Sequence, residues 1–328
     1  MILAEKIRYA GKTDIGKKRQ SNQDHFLAAE LCRSLKVGVT SLEMQPNSLL
    51  YGASQSHLFV VADGMGGHQA GNRASELAIN YFVDCLLSSE RWTTLPDHDN
   101  EQRFLDTLKD LLSASHQAIL AESTSSESLR GMGTTFTVAY VVWPKMWIVH
   151  AGDTRCYLFR DGVLNQLTRD HTLANQMASQ GLLSPDLSER SPWSNILWNA
   201  LGAGSPEVVA DIYQVDLRID DRIMLCSDGL NKHLDDREIQ TVLGRHEPPN
   251  TTCDILVEMV NELGGTDNIT VVVADLFPSN VQDLVAYKAY RSSTDDEILT
   301  RFVDYISSPD RSTSDHSDSN ASKITSDF

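Results

Sequence analysis

Leu58-Phe59-Val60-Val61-Ala62 is an unbroken apolar run, and Asp63 follows it at once. Asp153 and Asp228 also follow apolar runs. Short runs without polar alternation read as strands covered on both faces. Strand ends that converge would bring three carboxylates together, and unneutralised like charges held that close raise one another's pKa. A hard divalent cation, which prefers carboxylate, carbonyl and water oxygens, resolves the conflict. Two more acids, in Asn22-Gln23-Asp24 and Gly265-Thr266-Asp267-Asn268, sit among small residues in the same manner. The pattern marks the chain as a candidate two-metal hydrolase.

The 328 residues suffice for one large domain or two small ones, and 41% hydrophobic content can bury a sizeable core. A net charge of −17 argues against a nucleic-acid-binding face and against docking on anionic lipid. It leaves phosphate substrates open, because bound metal can dominate the local field. The five cysteines form no C-x-x-C pair. Cys85, Cys156, Cys226 and Cys253 lie within apolar patterns, as expected of core residues in a reducing compartment. The first ten residues include Glu5, Lys6 and Arg8, unlike a secretory leader, and no apolar stretch approaches the roughly 20 residues of a membrane helix. A cytoplasmic location is expected.

Strands are expected at 5–13, 58–62, 134–142, 146–150, 155–160, 222–226 and 268–274. Asp161-Gly162 marks a hairpin. Ala74, Leu77, Ala78, Tyr81, Phe82, Cys85 and Leu86 share a helical stripe, as do Phe104, Leu108, Leu111, Leu112 and Ile119. Asp99 or Asn100 could cap the second helix. The two helices are expected to pack as an antiparallel pair on a sheet. Residues 31–56 read as a long loop or an inserted hairpin. Residues 168–205 read as an excursion over the sheet, with a short helix at 173–180 and Trp193 and Trp198 beyond it. A last core helix at 253–263 stops at Gly264-Gly265. Thr294-Asp295-Asp296-Glu297 is a capping-box pattern before a short amphipathic helix near 295–307, within a 281–308 extension. The Ser- and Asp-rich 309–328 tail is expected to be disordered.

At the candidate site, Gly64 permits close backbone approach, so its carbonyl can join the Asp63 carboxylate as an oxygen ligand. Asp228-Gly229 repeats the arrangement. Arg19, five residues before Asp24, can hold a phosphate through two parallel hydrogen bonds. Each of these features alone also fits an ordinary turn or an exposed arginine.

Seven stretches in order carry a family likeness: Thr13-Asp14-x-Gly16-x-x-Arg19-x-x-Asn22-Gln23-Asp24, Val61-Ala62-Asp63-Gly64-Met65-Gly66-Gly67-His68, Gly131-Met132-Gly133-Thr134-Thr135, Gly152-Asp153-Thr154-Arg155-x-Tyr157, Leu167-Thr168-x-Asp170-His171, Ser227-Asp228-Gly229-Leu230 and Asp267-Asn268-Ile269-Thr270. Over about residues 5–276 the chain resembles the bacterial form of the PPM (PP2C-like) metal-dependent protein serine/threonine phosphatases. The resemblance implies an α+β fold, a four-layer αββα sandwich of two antiparallel sheets flanked by helices. It implies a catalytic domain over 1–280, with 168–205 as its flap.

By the same resemblance, Asp63 would bridge two Mn²⁺ or Mg²⁺ ions and Gly64 would give its carbonyl to one. Asp228 and Asp267 would hold the other ion, and Asp24 would act through metal-bound water. Arg19 would grip the substrate phosphate. Asp153, with Asp228, matches a possible third metal position; the alternative is a turn residue paired with Arg155. The implied reaction is in-line attack of a metal-bridging hydroxide on phosphoserine or phosphothreonine. Met65 stands where animal-type members carry a histidine, so His68 is one candidate proton donor and a metal-bound water the simpler one. His171 is expected to organise the loop entering the excursion. Asn199 stands where many relatives have arginine. Implied substrates are phosphoproteins, in a bacterium those of a Ser/Thr protein kinase. The C-terminal helix would either dock on a partner or the catalytic domain, or complete the core. The rival readings are a phosphoprotein-binding pseudophosphatase, which would lack some of the metal acids, and a phosphatase of another phosphoester.

Overall fold

The computed structural model describes residues 6–37, 49–88, 100–184 and 191–277, with 39, 41, 43 and 187 as isolated positions. Asp99 and the helix expected near 295–307, with the tail after it, lie outside the described residues.

Two sheets form the centre. The five-stranded sheet runs β1 (Lys6–Asp14), β12 (Ile269–Phe277), β11 (Arg222–Cys226), β7 (Arg155–Arg160) and β8 (Val163–Gln166). The seven-stranded sheet runs β10 (Asp211–Asp216), β6 (Lys145–Ala151), β5 (Phe136–Val142), β3 (Leu49–Met65), β4 (Gly133–Thr134) and β9 (Leu201–Gly202), with β2 (Asp24–Lys36) paired to β3. All these pairings are antiparallel.

The apolar runs are unbroken because each strand face meets a different layer. In β3, Phe59 and Val61 face between the sheets, joining Ala139, Ile148, Leu158, Leu225 and Val272. Their neighbours Leu58 and Val60 face the other way and pack with Phe82, Leu108, Leu112 and Ile119. Those residues lie on α1 (His68–Ser88) and α2 (Glu101–Ser123). On the opposite side, Tyr157, Met224, Val271 and Val273 pack with Ile239, Leu256, Val257 and Val260, which belong to helices at Asp236–Leu243 and Pro249–Glu262. The expected four-layer αββα sandwich is therefore the observed one. Each fully buried Val, Leu, Ile or Phe side chain contributes roughly 1.5–3 kcal/mol, and covering both faces of Leu58–Ala62 is why that stretch of β3 shows no polar alternation.

Local chemistry sets the ends. A short helical turn, α4 (Asp228–Asn231), comes after the longer α3 of the excursion (Leu173–Ser179). The next helix, α5 (Asp236–Leu243), starts at a capping box in which Asp235 and Glu238 satisfy each other's backbone N–H groups. The last, α6 (Pro249–Glu262), has proline in its first turn and ends where Gly265 turns back at φ 46° to bond Val260 O. Asn100 occupies the N-cap position of α2.

The segment at 31–56 contributes hairpin strands: Ser34, Leu35 and Lys36 pair with Tyr51, Leu50 and Leu49, with register shifts around Cys32. Several elements carry no expectation from the sequence, among them the early part of β2, the short strand β9, the edge strand β10, α4 and α5. Of the cysteines, Cys156, Cys226 and Cys253 are buried, Cys85 is half-buried and Cys32 exposed, all as free thiols.

Candidate metal centre

All five acids lie at strand ends at one edge of the sandwich. Asp24 opens β2, and Asp63 lies near the end of β3 directly opposite it in register. Asp153 lies between β6 and β7, Asp228 just after β11, and Asp267 two residues before β12. Both sheets thus supply carboxylates to one place. Asp24 ties them together: its Oδ2 accepts from Ser227 Oγ at 2.7 Å and Thr270 Oγ1 at 2.8 Å.

The backbone around Asp63 is held on both sides. Its N–H donates to Thr135 Oγ1 at 2.9 Å, and its carbonyl accepts from Thr135 N and Thr134 Oγ1, both at 2.9 Å. Gly64 N donates to Gln23 O at 3.1 Å. A Cβ on Gly64 would lie 2.1 Å from Gly71 O, and one on Gly229 would lie 1.9 Å from Asn268 O. Both glycines therefore permit backbone contacts that no side chain would allow. Asn268 fastens the loop that carries Arg19. Its Oδ1 accepts from Gln23 N at 2.9 Å, and its Nδ2 donates to Ile15 O at 3.0 Å and Ser21 O at 3.1 Å.

The electrostatics follow from crowding. Burial raises Asp63 well above the usual carboxylate range, reinforced by Asp24, Asp228, Asp153 and Asp267. Asp153 is likewise raised, by burial and then by Asp228 and Asp170. Asp24 is pushed up to about 6 by burial, with Ser227 and Thr270 pulling the other way. Asp267 behaves oppositely: burial would raise it, but Arg19 and Lys232 together hold it below the usual range. Arg19 Nε lies 2.7 Å from Asp267 Oδ1, and Lys232 Nζ lies 2.7 Å from Asp267 Oδ2 and 2.5 Å from Asp228 Oδ2.

The donor set fits hard divalent ions. Asp24 Oδ1 and Asp228 Oδ1 are buried without a hydrogen-bond partner. Asp24 and Asp63 lie within reach of each other, so a shared proton or a cation is required between them. Among the described residues no group of three or more His, Cys, Asp or Glu side chains is already arranged to hold a metal ion; Arg19 engages Asp267, and Lys232 engages both Asp228 and Asp267.

Arg155 forms a bidentate pair with Asp170, Nε donating to Oδ1 at 3.0 Å and Nη2 to Oδ2 at 2.7 Å, and reaches Tyr157 Oη at 3.0 Å. The Asp153 turn is clamped by His171, whose backbone N–H donates to Gly152 O at 2.7 Å and whose Nδ1 accepts from Gly152 N at 3.2 Å. The same Nδ1 accepts from Asn199 Nδ2 at 2.7 Å, which leaves Nε2 to donate to Asp211 Oδ2 at 3.0 Å. His171 thus organises the loop entering the excursion, and Asn199 anchors the excursion's return through Val209. Trp193 and Trp198 are 42% and 40% exposed, so neither is a core residue, although the Trp198 ring lies 4.8 Å from that of His171, tilted at 46°. His68 is the first residue of α1; its side chain lies outside the described residues.

A groove of about 950 Å³ opens beside the acids, bounded by Asp153, Asp228, Lys232, Arg169, Asn195 and Arg237. It connects the carboxylate cluster to the 168–205 excursion. Lys232 is the contributor that sequence reading missed. Its signal was a position four residues after Asp228, the spacing of a helical ion pair. Among the described residues no helix is long and apolar enough to cross a membrane.

Comparison with known proteins agrees with this geometry. The family model for protein phosphatase 2C matches residues 48–264. The serine/threonine phosphatase stp of Listeria monocytogenes serotype 4b (strain F2365) is 34% identical over 218 residues, covering 66% of this chain and 84% of that protein. The serine/threonine protein phosphatase PstP of Mycobacterium tuberculosis (strain ATCC 25618 / H37Rv) is 31% identical over 294 residues, 90% of this chain and 50% of its own length. The crystal structure of the M. tuberculosis phosphatase PstP/Ppp superposes with a TM-score of 0.64 at 31% identity, covering 82% of this chain and 98% of that one. A PstP catalytic domain in complex with two manganese ions gives a TM-score of 0.63 at 30% identity, covering 83% and 99%. Arg19, Asp24 and Asp267 fall outside the span of the family model, yet they close the same carboxylate cluster as the matched Asp63, Asp153 and Asp228. By match and by architecture, the chain belongs to the protein phosphatase 2C family.

Proposed function

We propose that this chain is a metal-dependent protein phosphatase that hydrolyses phosphoserine and phosphothreonine. The observation that carries the reading is the convergence of Asp24, Asp63, Asp153, Asp228 and Asp267, from both sheets, beside an arginine. The curated relatives named above as serine/threonine phosphatases support it.

In this reading Asp63, the Gly64 carbonyl, Asp228 and Asp267 would hold two Mn²⁺ or Mg²⁺ ions, with Asp63 common to both. Asp24 would act through coordinated water, and Asp153 with Asp228 would serve a third ion. Divalent ions held there would acidify coordinated water and neutralise charge on the phosphoryl oxygens. The protein's own contribution is placement. Thr134 and Thr135 fix the Asp63 backbone, Asn268 fixes the Arg19 loop, and Arg19, whose Nε and Nη2 engage Asp267 here, would turn its planar guanidinium to the phosphate. The groove toward 168–205 supplies room for the peptide around the phosphoresidue.

The phosphatase unit spans residues 1–280, with 168–205 as its flap, and the 281–308 extension serves partner docking. Phosphoprotein substrates of a Ser/Thr kinase fit the curated relatives, and a cytoplasmic location fits the five free cysteines. The test is phosphate release from phosphothreonine, phosphoserine and phosphotyrosine peptides after chelation and after Mn²⁺ is restored. Mn²⁺-restored release from the first two supports the reading. Turnover of the phosphotyrosine peptide alone, or of none, contradicts it.

A further inference from the structure

We propose that Lys232 is a tethered counter-cation of the metal centre, whose ammonium group weakens divalent-ion binding at the seat formed by Asp228 and Asp267. The proposal rests on the metal-centre reading above and concerns a residue that reading does not use.

The ammonium bridges the two carboxylates, 2.5 Å from Asp228 Oδ2 and 2.7 Å from Asp267 Oδ2. Its position is set by the backbone. Lys232 closes the turn of α4, and its N–H donates to Asp228 O at 2.9 Å. That turn cannot drift from the loop carrying Asp267, because Gly229 is pressed against Asn268 O. The side chain is 32% exposed, so solvent screens its charge only in part. Arg19 approaches Asp267 as well, so Oδ2 of that carboxylate serves two cations at once, Arg19 Nη2 at 2.9 Å and Lys232 Nζ.

An ion coordinated by these oxygens must share them with the ammonium or displace it. Sharing places a single positive charge within a few ångströms of a double one. Displacement separates the lysine from both carboxylates. Either route costs affinity by Coulomb's law. The four-carbon stem gives the displaced ammonium somewhere to go, since Lys232 lines the groove that also holds Asp235 and Asp236. The same contact has the opposite effect on the metal-free protein, where it offsets repulsion between Asp228 and Asp267. Removing the charge should therefore tighten ion binding and lower the metal-free melting temperature together, a pair of signs that loss of packing alone would not give.

The experiment measures Mn²⁺ binding by isothermal titration, and melting before Mn²⁺ is added, on the full chain stripped by chelation. It compares wild type, Lys232→Met and Lys12→Met, the last removing a charge paired with Asp254 elsewhere. The expected result is about tenfold tighter Mn²⁺ binding and a lower metal-free Tm for Lys232→Met, with Lys12→Met within about twofold of wild type in affinity. Unchanged or weaker binding in Lys232→Met overturns the proposal. Equal tightening in Lys12→Met also overturns it, by assigning the effect to net charge. Should Lys232→Met fail to fold, Lys232→Gln carries the same comparison with a polar chain of similar reach. Failure of the wild type to bind Mn²⁺ would reject the metal-centre reading itself, and that outcome appears before any variant is compared.

Discussion

Asp24 and Asp63 stand directly opposite each other across β2 and β3, the first residue of one strand against the near-terminal residue of the other. Asp24 is 3% exposed, and its second oxygen is fastened to Ser227 and Thr270 of the other sheet. Two carboxylates on adjacent strands, one tied across the sandwich, form a rigid pair that a cation must reconcile.

Gly64→Ala tests the closeness of that backbone. The new Cβ would lie 2.1 Å from Gly71 O and 2.8 Å from Gln23 O, both backbone atoms with little freedom to yield. A destabilisation of at least about 2 kcal/mol is expected in urea unfolding, with weaker Mn²⁺ binding because the turn holding Asp63 shifts. Wild-type stability in the variant would contradict the packing described.

Arg19→Lys separates charge from shape. Arg19 bonds Asp267 through both Nε and Nη2, and a lysine cannot reproduce the fork. A drop in kcat/KM on a phosphothreonine peptide of about a hundredfold is expected for Arg19→Ala, with only partial recovery in Arg19→Lys. Mn²⁺ titration would show both variants still binding metal.

Arg222 and Asp275 form a buried pair far from the acids. Arg222 donates to Asp275 at 2.5 and 2.9 Å and to the carbonyls of Leu243 and Glu247, tying β11 and β12 to the connection between α5 and α6. Arg222→Met alone leaves a buried carboxylate uncompensated and should cost about 3–5 kcal/mol. Adding Asp275→Leu should return much of that loss. Denaturant unfolding of both variants measures it.

His150 predicts an acid sensitivity independent of metal ligation. It is fully buried, beside Thr137 Oγ1 at 2.8 Å and Arg169 O at 3.1 Å. Burial, then the neighbouring His171, pushes its pKa down to about 3. In the unfolded chain the ring titrates near 6.5, so its contribution is complete above that pH. It is lost progressively as pH falls toward the native value, by about 2 kcal/mol at pH 5. His150→Gln should flatten the stability profile between pH 7 and 5 relative to wild type. A parallel profile would show that the ring does not drive the loss.

The legible parts of the fold are those where one physical cause acts alone. β3, β5, β11 and β12 read as strands because both their faces are covered, and α1 and α2 because one stripe is. β2 was hidden: Glu30, Arg33, Ser34 and Lys36 dilute its pattern, and register shifts around Cys32 break the alternation. β10 lies at a sheet edge with half-exposed residues and carries little signal. The acids were legible through their small neighbours, but their salt bridges were not. Arg155 pairs with Asp170 across 15 positions of sequence, and Lys232 reaches Asp267 across 35. Such choices depend on which loops meet, and local pattern does not record that.

The most direct measurement is phosphate release from a phosphothreonine peptide by chelated protein, before and after Mn²⁺ is restored, in wild type and in Asp63→Asn. Restored turnover in wild type and its loss, by at least about a hundredfold, in a folded Asp63→Asn variant is the expected result. Equal turnover in chelated and Mn²⁺-restored wild type, or full activity in Asp63→Asn, would contradict a metal-dependent phosphatase centred on Asp63.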